Sequence, residues 1–154
     1  MQGPPGYPAA ILLVEDDPAE VRLLWEAFTV IPVRTQLHVV SGGEEAVAFL
    51  RHEAPYPHAP RPALMLLSLK LPGMSGQQLL AVLKRDPALQ TIPAVVFTNS
   101  RSPQDIKESY QLGANSYIFK PFDFTQLVEV VQAIASYWLQ VVTLVSPLLP
   151  PPQL

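Results

Sequence analysis

Short, unbroken apolar runs alternate along the chain with longer stretches in which apolar residues recur at helical spacing. "AAILLV" (Ala9 to Val14) has no polar face, which predicts a strand buried on both sides. Val21, Leu24, Phe28 and Ile31 follow on one helical stripe. Asp17, Pro18 and Glu20 give that helix a cap, a first-position proline and a carboxylate three residues after the cap. "QLHVV" predicts a second strand, and "SGGEEAVAFLRH", opened by Ser41 and Glu44 as a capping box, a second helix. "ALMLLS" and "GQQLLAVLKRD" predict the third strand and helix, and "AVVFT" the fourth strand. The fourth helix starts at Ser102, Pro103 and Asp105 and stops at Gly113. "SYIF" predicts the fifth strand, and Asp123 with Gln126 opens a last helix striped by Leu127, Val131, Ile134 and Trp138.

Five strands separated by single helices predict an α/β fold, with a parallel sheet covered on both faces. Ligands of such sheets sit at the carboxyl ends of the strands. Those ends supply Glu15 and Asp16, Ser68, Thr98 and Lys120. Adjacent carboxylates suit Mg²⁺, which prefers oxygen ligands, and a hydroxyl with an amine suits a phosphoryl oxygen. The plainer reading makes them polar strand ends satisfied by helix caps and by a Lys120–Asp16 pair. The joint occurrence of all five favours a site.

Composition narrows the classes. A chain of 154 residues, about half apolar, suits one domain with a full core. A net charge of -3 gives no footprint for nucleic acid or anionic lipid. Absence of cysteine excludes disulfides and thiolate metal sites. The longest apolar runs are too short to span a membrane, and no secretory pattern opens the chain, so a cytoplasmic protein is expected. Proline clusters in "GPPGYP", "PYPHAPRP" and "PLLPPP" predict two unstructured tails and a long internal loop. His38, His52 and His58 lack metal-ligand spacing and read as solvated; Trp25 and Phe28 read as core and helix-face packing, and "KRD" (Lys84 to Asp86) as a solvated helix end.

"LLVEDDP", "LKLPGMSG", "IPAVVFT" and "LGANSYIFKPF" together resemble the receiver domain of two-component response regulators, over Ala9 to Leu139. "VEDDPAEVRLLWEAF", "GEEAVAFLRHEAPY", "FTNSR" and "YWLQVVTL" resemble, within that family, the single-domain regulators of bacterial phytochromes. The resemblance implies a flavodoxin-like (βα)5 fold with strand order 2-1-3-4-5. It implies a tail at 1–8, a receiver domain at 9–139 and an apolar, proline-rich arm at 140–154. Glu15 and Asp16 become the acidic pocket, and Thr98, Tyr117 and Lys120 the phosphoryl and switch residues. Mg²⁺ would be held by Asp16, Glu15 and the Lys70 backbone carbonyl, and no organic cofactor is implied. The implied partner is a sensor histidine kinase, a phytochrome, docked through Pro18 to Arg22 and Trp25. Tyr117 also reads as an ordinary aromatic at a sheet edge.

The phosphoacceptor position holds Ser68. A serine forms no aspartyl phosphate and supplies no third carboxylate, so metal binding is expected to be weak. Lys70 and Asn99 also depart from the usual pattern, and both lean the same way. Two readings remain open: a natural pseudo-receiver that binds partners without chemistry, or an introduced substitution at the acceptor. A flavodoxin needs a glycine- and hydroxyl-rich loop where "EDDPAE" stands, and an aspartate-nucleophile phosphatase fits Glu15 and Asp17 poorly. Val130, Tyr137 and Val141 lie on the side of the last helix expected to face water, and "VVTLVSPLLPPP" continues apolar beyond it. With Trp138, Val142 and Leu144 they predict a homodimer interface.

Overall fold

The unbroken apolar runs of the central strands follow from the two cores they separate. In the computed structural model, which describes residues 8–145, β1 (Ala9–Val14), β2 (Thr35–Val40), β3 (Leu64–Leu67), β4 (Ala94–Thr98) and β5 (Ser116–Phe119) form one parallel sheet. Its order is β2-β1-β3-β4-β5, the expected flavodoxin-like topology. Leu12, Val14, Met65, Leu67 and Val96 face one core, while Ile11, Leu13, Leu64, Leu66, Val95 and Phe97 face the other. Alternation of side chains along a strand therefore serves two apolar layers at once.

Helices α1 (Pro18–Val30) and α5 (Phe124–Ser136) cover one face. Helices α2 (Gly43–Leu50) and α3 (Gly76–Arg85) cover the other with buried Phe49, Leu79, Leu80 and Leu83. Helix α4 (Pro103–Gln111) lies beside β5. A π-helical turn over Tyr137–Val141 continues α5 and buries Leu139. The expected tail and the outer part of the arm fall mostly on residues 1–7 and 146–154, outside the described residues.

Five local expectations need correction. Helix α2 starts at Gly43 behind Gly42, without a side-chain cap. Ser41 instead gives its N–H and its hydroxyl to Glu45 Oε2, at 2.9 and 2.8 Å. Glu44 accepts Met74 N–H at 2.9 Å, so it holds the β3–α3 loop rather than closing a capping box. Trp25 is 56% exposed, unlike its buried neighbour Phe28, because it sits on the outer side of α1. His38 is not solvated: its buried Nε2 meets no hydrogen-bond partner among the described residues, and its ring packs on Phe49 at 5.5 Å. Val130 does not face water but is half-buried against the α1/α5 core. Lys84 is also drawn in, lying across Gly113; that glycine has φ +98, and an added Cβ would meet Lys84 Cε at 2.5 Å.

Candidate functional site

Backbone ladders bring the strand ends together before any side chain acts. Glu15 N–H bonds Val40 carbonyl at 3.0 Å, Ser68 N–H bonds Val14 carbonyl at 3.1 Å, and Lys120 N–H bonds Thr98 carbonyl at 2.8 Å. Gly76 lets α3 close over this rim, since a Cβ there would lie 2.2 Å from the Ser68 carbonyl oxygen.

Glu15 is 4% exposed and Ser68 6% exposed. Lys120 Nζ donates to Glu15 Oε2 at 2.8 Å and to Ser68 Oγ at 3.4 Å. The Ser68 hydroxyl donates to the same carboxylate oxygen of Glu15. Glu15 Oε1 accepts Asp17 N–H at 3.1 Å. Burial alone pushes the Glu15 carboxyl up, but the bonds from Lys120, Ser68 and Asp17 win and hold it below its ordinary value. The sequence-level pairing of Lys120 with Asp16 is replaced by Glu15 and by Glu20, whose Oε2 lies 3.6 Å from Nζ. Glu20 was read only as a helix-start acid; one turn into α1 from the rim, it is close enough to reach back.

The other predicted residues surround this cluster without joining its bonds. Asp16 is exposed and lines an open cavity of about 580 Å³ with Leu69, Lys70, Leu71, Pro72, Ser75 and Gln77. Thr98 is buried and its Oγ1 accepts Ser100 N–H at 3.1 Å. Tyr117 is half-buried and its hydroxyl donates to the Ser100 carbonyl at 2.9 Å. Burial, with the charge of Asp105, raises the Tyr117 phenol above its ordinary value. Ser100 and Asp105 were missed as a pair; their only sequence signal was the helix start they share.

For a divalent cation the donor set is incomplete. Both oxygens of Glu15 are engaged by protein donors, an ammonium stands where cationic charge is wanted, and Ser68 offers no carboxylate. No group of three metal-ligating side chains occurs among the described residues. Chemically, the arrangement is a self-neutralised acid–ammonium pair with a hydroxyl pinned beside it.

The model of the response regulator receiver domain matches residues 11–132. Response regulator Rcp1 from Synechocystis sp. is 41% identical over 137 residues, covering 89% of this chain and 93% of that protein. The probable methanogenesis regulatory protein FilR2 of Methanothrix harundinacea is 38% identical, with coverage of 86% and 84%. Among solved structures, the phosphorylated cyanobacterial phytochrome response regulator RcpA superposes with TM-score 0.85 at 42% identity, over 91% of this chain and 100% of that one. The Mn²⁺-bound form of Rcp1 gives 0.82 at 40% identity, over 90% and 100%. No helix of the described residues is long and apolar enough to cross a membrane.

Proposed function

Because this chain belongs to the response regulator receiver domain family, we propose that it is a single-domain regulator in a phytochrome-type two-component pathway whose acceptor position cannot take an aspartyl phosphate. The carrying observation is the convergence of Glu15, Ser68 and Lys120 at the strand ends, with Thr98 and Tyr117 beside them. Lys120, which in this reading would meet a phosphoryl oxygen, is instead bonded to Glu15 and Ser68. The site is thus satisfied from within, and no differential contact remains for a phosphodonor to use. Coverage of nearly all of Rcp1 and RcpA supports the single-domain reading. That RcpA is a phytochrome response regulator supports a phytochrome as partner.

A divalent cation fits only in part: Asp16, the Lys70 carbonyl and one oxygen of Glu15 are its candidate donors. When bound it would screen anionic charge at the rim. A second reading makes the chain a natural pseudo-receiver, an interaction module that works by docking alone. The exposed start of α1 favours docking without chemistry, since Asp17, Pro18, Ala19 and Arg22 are open to solvent. The family reading also includes a homodimer through the last helix and arm.

Intact-mass spectrometry after acetyl phosphate treatment tests the main reading. This chain is expected to gain no phosphoryl mass, and Ser68→Asp to gain one. A phosphoryl adduct mapped to Ser68, or none on Ser68→Asp, overturns it.

A further inference from the structure

At the end of the sheet opposite the strand-end site, a hollow of about 350 Å³ opens between the end of α1 and the start of β2. The sequence makes it there. Helix α1 stops at Ile31, whose extended backbone (φ -80, ψ 152) turns the chain through Pro32, Val33 and Arg34 into β2. Parallel register sets Ala9 against Thr35, so Pro8, the residue before β1, lines the hollow together with Arg34. Phe28 and Ile31 line it as buried side chains. Trp25 lines it too but is 56% exposed. Arg34 is the one charged residue among those that line it; it is exposed and has no hydrogen-bond or ion-pair partner among the described residues.

An open tryptophan beside an unpaired guanidinium suits an uncharged segment that offers ring surface and free carbonyls. A proline-rich segment offers both, because its prolines hold it extended and its carbonyls have no internal partners. The chain carries such a segment at the edge of the hollow. Residues 1–7 read MQGPPGY, without a charged side chain, and lead directly into Pro8. A tether this short keeps its segment at an effective concentration on the order of millimolar. Contacts too weak to hold a free peptide at micromolar concentration then suffice, and a second copy at micromolar concentration competes poorly. Proline also lowers the cost of ordering, since its φ is fixed beforehand. The proline-rich stretch 147–152 shares this chemistry, but no residue of α5 or beyond lines the hollow among the described residues.

We propose that the hollow is a docking site for the segment Pro4–Tyr7 of the same chain, with Pro4 and Pro5 on Trp25 and their carbonyls accepting from Arg34. Three residues of extended chain span about 9 Å, which carries Pro5 from Pro8 across a hollow of this size, and Gly6 permits the reversal. The inference is independent of the receiver reading. It gives the exposed tryptophan of α1 a cover from within the chain, and a partner seated on Trp25 has to displace that cover.

The test uses NMR of the full chain. Its two tryptophans, Trp25 and Trp138, give one indole N–H signal each, and Trp25→Phe assigns them. Nuclear Overhauser contacts from the Pro4 and Pro5 rings to the Trp25 indole are expected, with the same strength at low and high protein concentration. Pro4→Gly combined with Pro5→Gly keeps the length of the segment and leaves every described residue unchanged. It is expected to shift the Trp25 indole signal and to leave that of Trp138 in place. Arg34→Gln is expected to weaken the proline contacts; contacts of full strength in that variant overturn the role of Arg34. A Trp25 signal unmoved by the paired glycine substitutions, with no contact from Pro4 or Pro5, overturns the docking. Contacts from the rings of Pro147 or Pro150 in their place, or contacts that appear only as concentration rises, also overturn it, because they assign the hollow to the arm or to a second copy.

Discussion

Lys120 Nζ lies 2.8 Å from Glu15 Oε2 and ties the end of β5 to the end of β1 across the two strands between them. The side chains are 9% and 4% exposed, so neither charge is solvated. Breaking a buried pair leaves one charge stranded, at a cost of about 3–5 kcal/mol. Lys120→Met is therefore expected to lower the unfolding free energy by about that amount, and adding Glu15→Gln to recover part of it. Urea melts of the two variants check this; a loss no greater than that of an exposed ion pair would show that the pair is not buried in solution.

Two groups give the stability of this chain a pH dependence in separate windows. Burial holds the His38 imidazole below its ordinary value of 6.5, so the unfolded chain takes up the proton first. Stability is then complete above pH 6.5 and falls as pH drops below it. Glu15 is held below its ordinary 4.5, so its contribution is complete above that pH and is lost only in stronger acid, through the folded value. His38→Leu should flatten the first slope and leave the second. Urea titrations at pH values spanning both windows would show this, and an unchanged slope near pH 6 in His38→Leu would refute the assignment.

Ser68→Asp should destabilise the metal-free chain and make it responsive to Mg²⁺. The substitution sets a new carboxylate against Glu15, where Ser68 now donates a hydrogen bond. Like charges in a buried rim repel until a cation enters. Thermal melts are expected to show a lower midpoint for Ser68→Asp without Mg²⁺ and a rise on adding it, by binding linkage. The parent chain, with its incomplete donor set, should hardly move at micromolar Mg²⁺.

Strand positions were legible because the apolar runs are continuous, and helix starts because Asp17, Ser102 and Asp123 mark them, each of which caps as read, while the strand order came only through the family resemblance. The Ser41–Glu44 start failed because two acids in succession, Glu44 and Glu45, offer two solutions. Gly43 lies close against Met74, where an added Cβ would meet Sδ at 2.8 Å, and Glu44 accepts that residue's N–H in the loop. His38 was misread because period-two alternation places it on the core side of an edge strand, where Phe49 covers it. At the site, the strand-end rule located Glu15, Ser68 and Lys120, but not which acid Lys120 prefers. That choice depends on Glu15 turning inward while Asp16 turns to the cavity, a one-residue alternation with no independent mark in the sequence.

The apolar side of the chain's last turns predicts association with a second copy. Tyr137 is 54% exposed and Val141 72% exposed, although both lie in a turn whose Leu139 is buried. Beside them Ile118, Val130, Ala133, Ile134 and Trp138 line an apolar cavity of about 410 Å³ between β5 and α5. Tyr137 packs edge-on against Trp138 at 5.2 Å, which presets its ring for contact at low entropic cost. Each such side chain contributes about 1.5–3 kcal/mol when fully buried, so a two-fold contact that repeats it on both copies offsets part of the cost of association. Tyr137→Ser and Val141→Ser change only exposed positions and should leave folding intact. Light scattering at roughly tens of micromolar, suited to a micromolar dimer, should give a dimer for the parent chain and a monomer for the double variant. A parent chain that scatters as a monomer at that concentration removes the dimer, and an unchanged dimer in the double variant moves its interface away from this face.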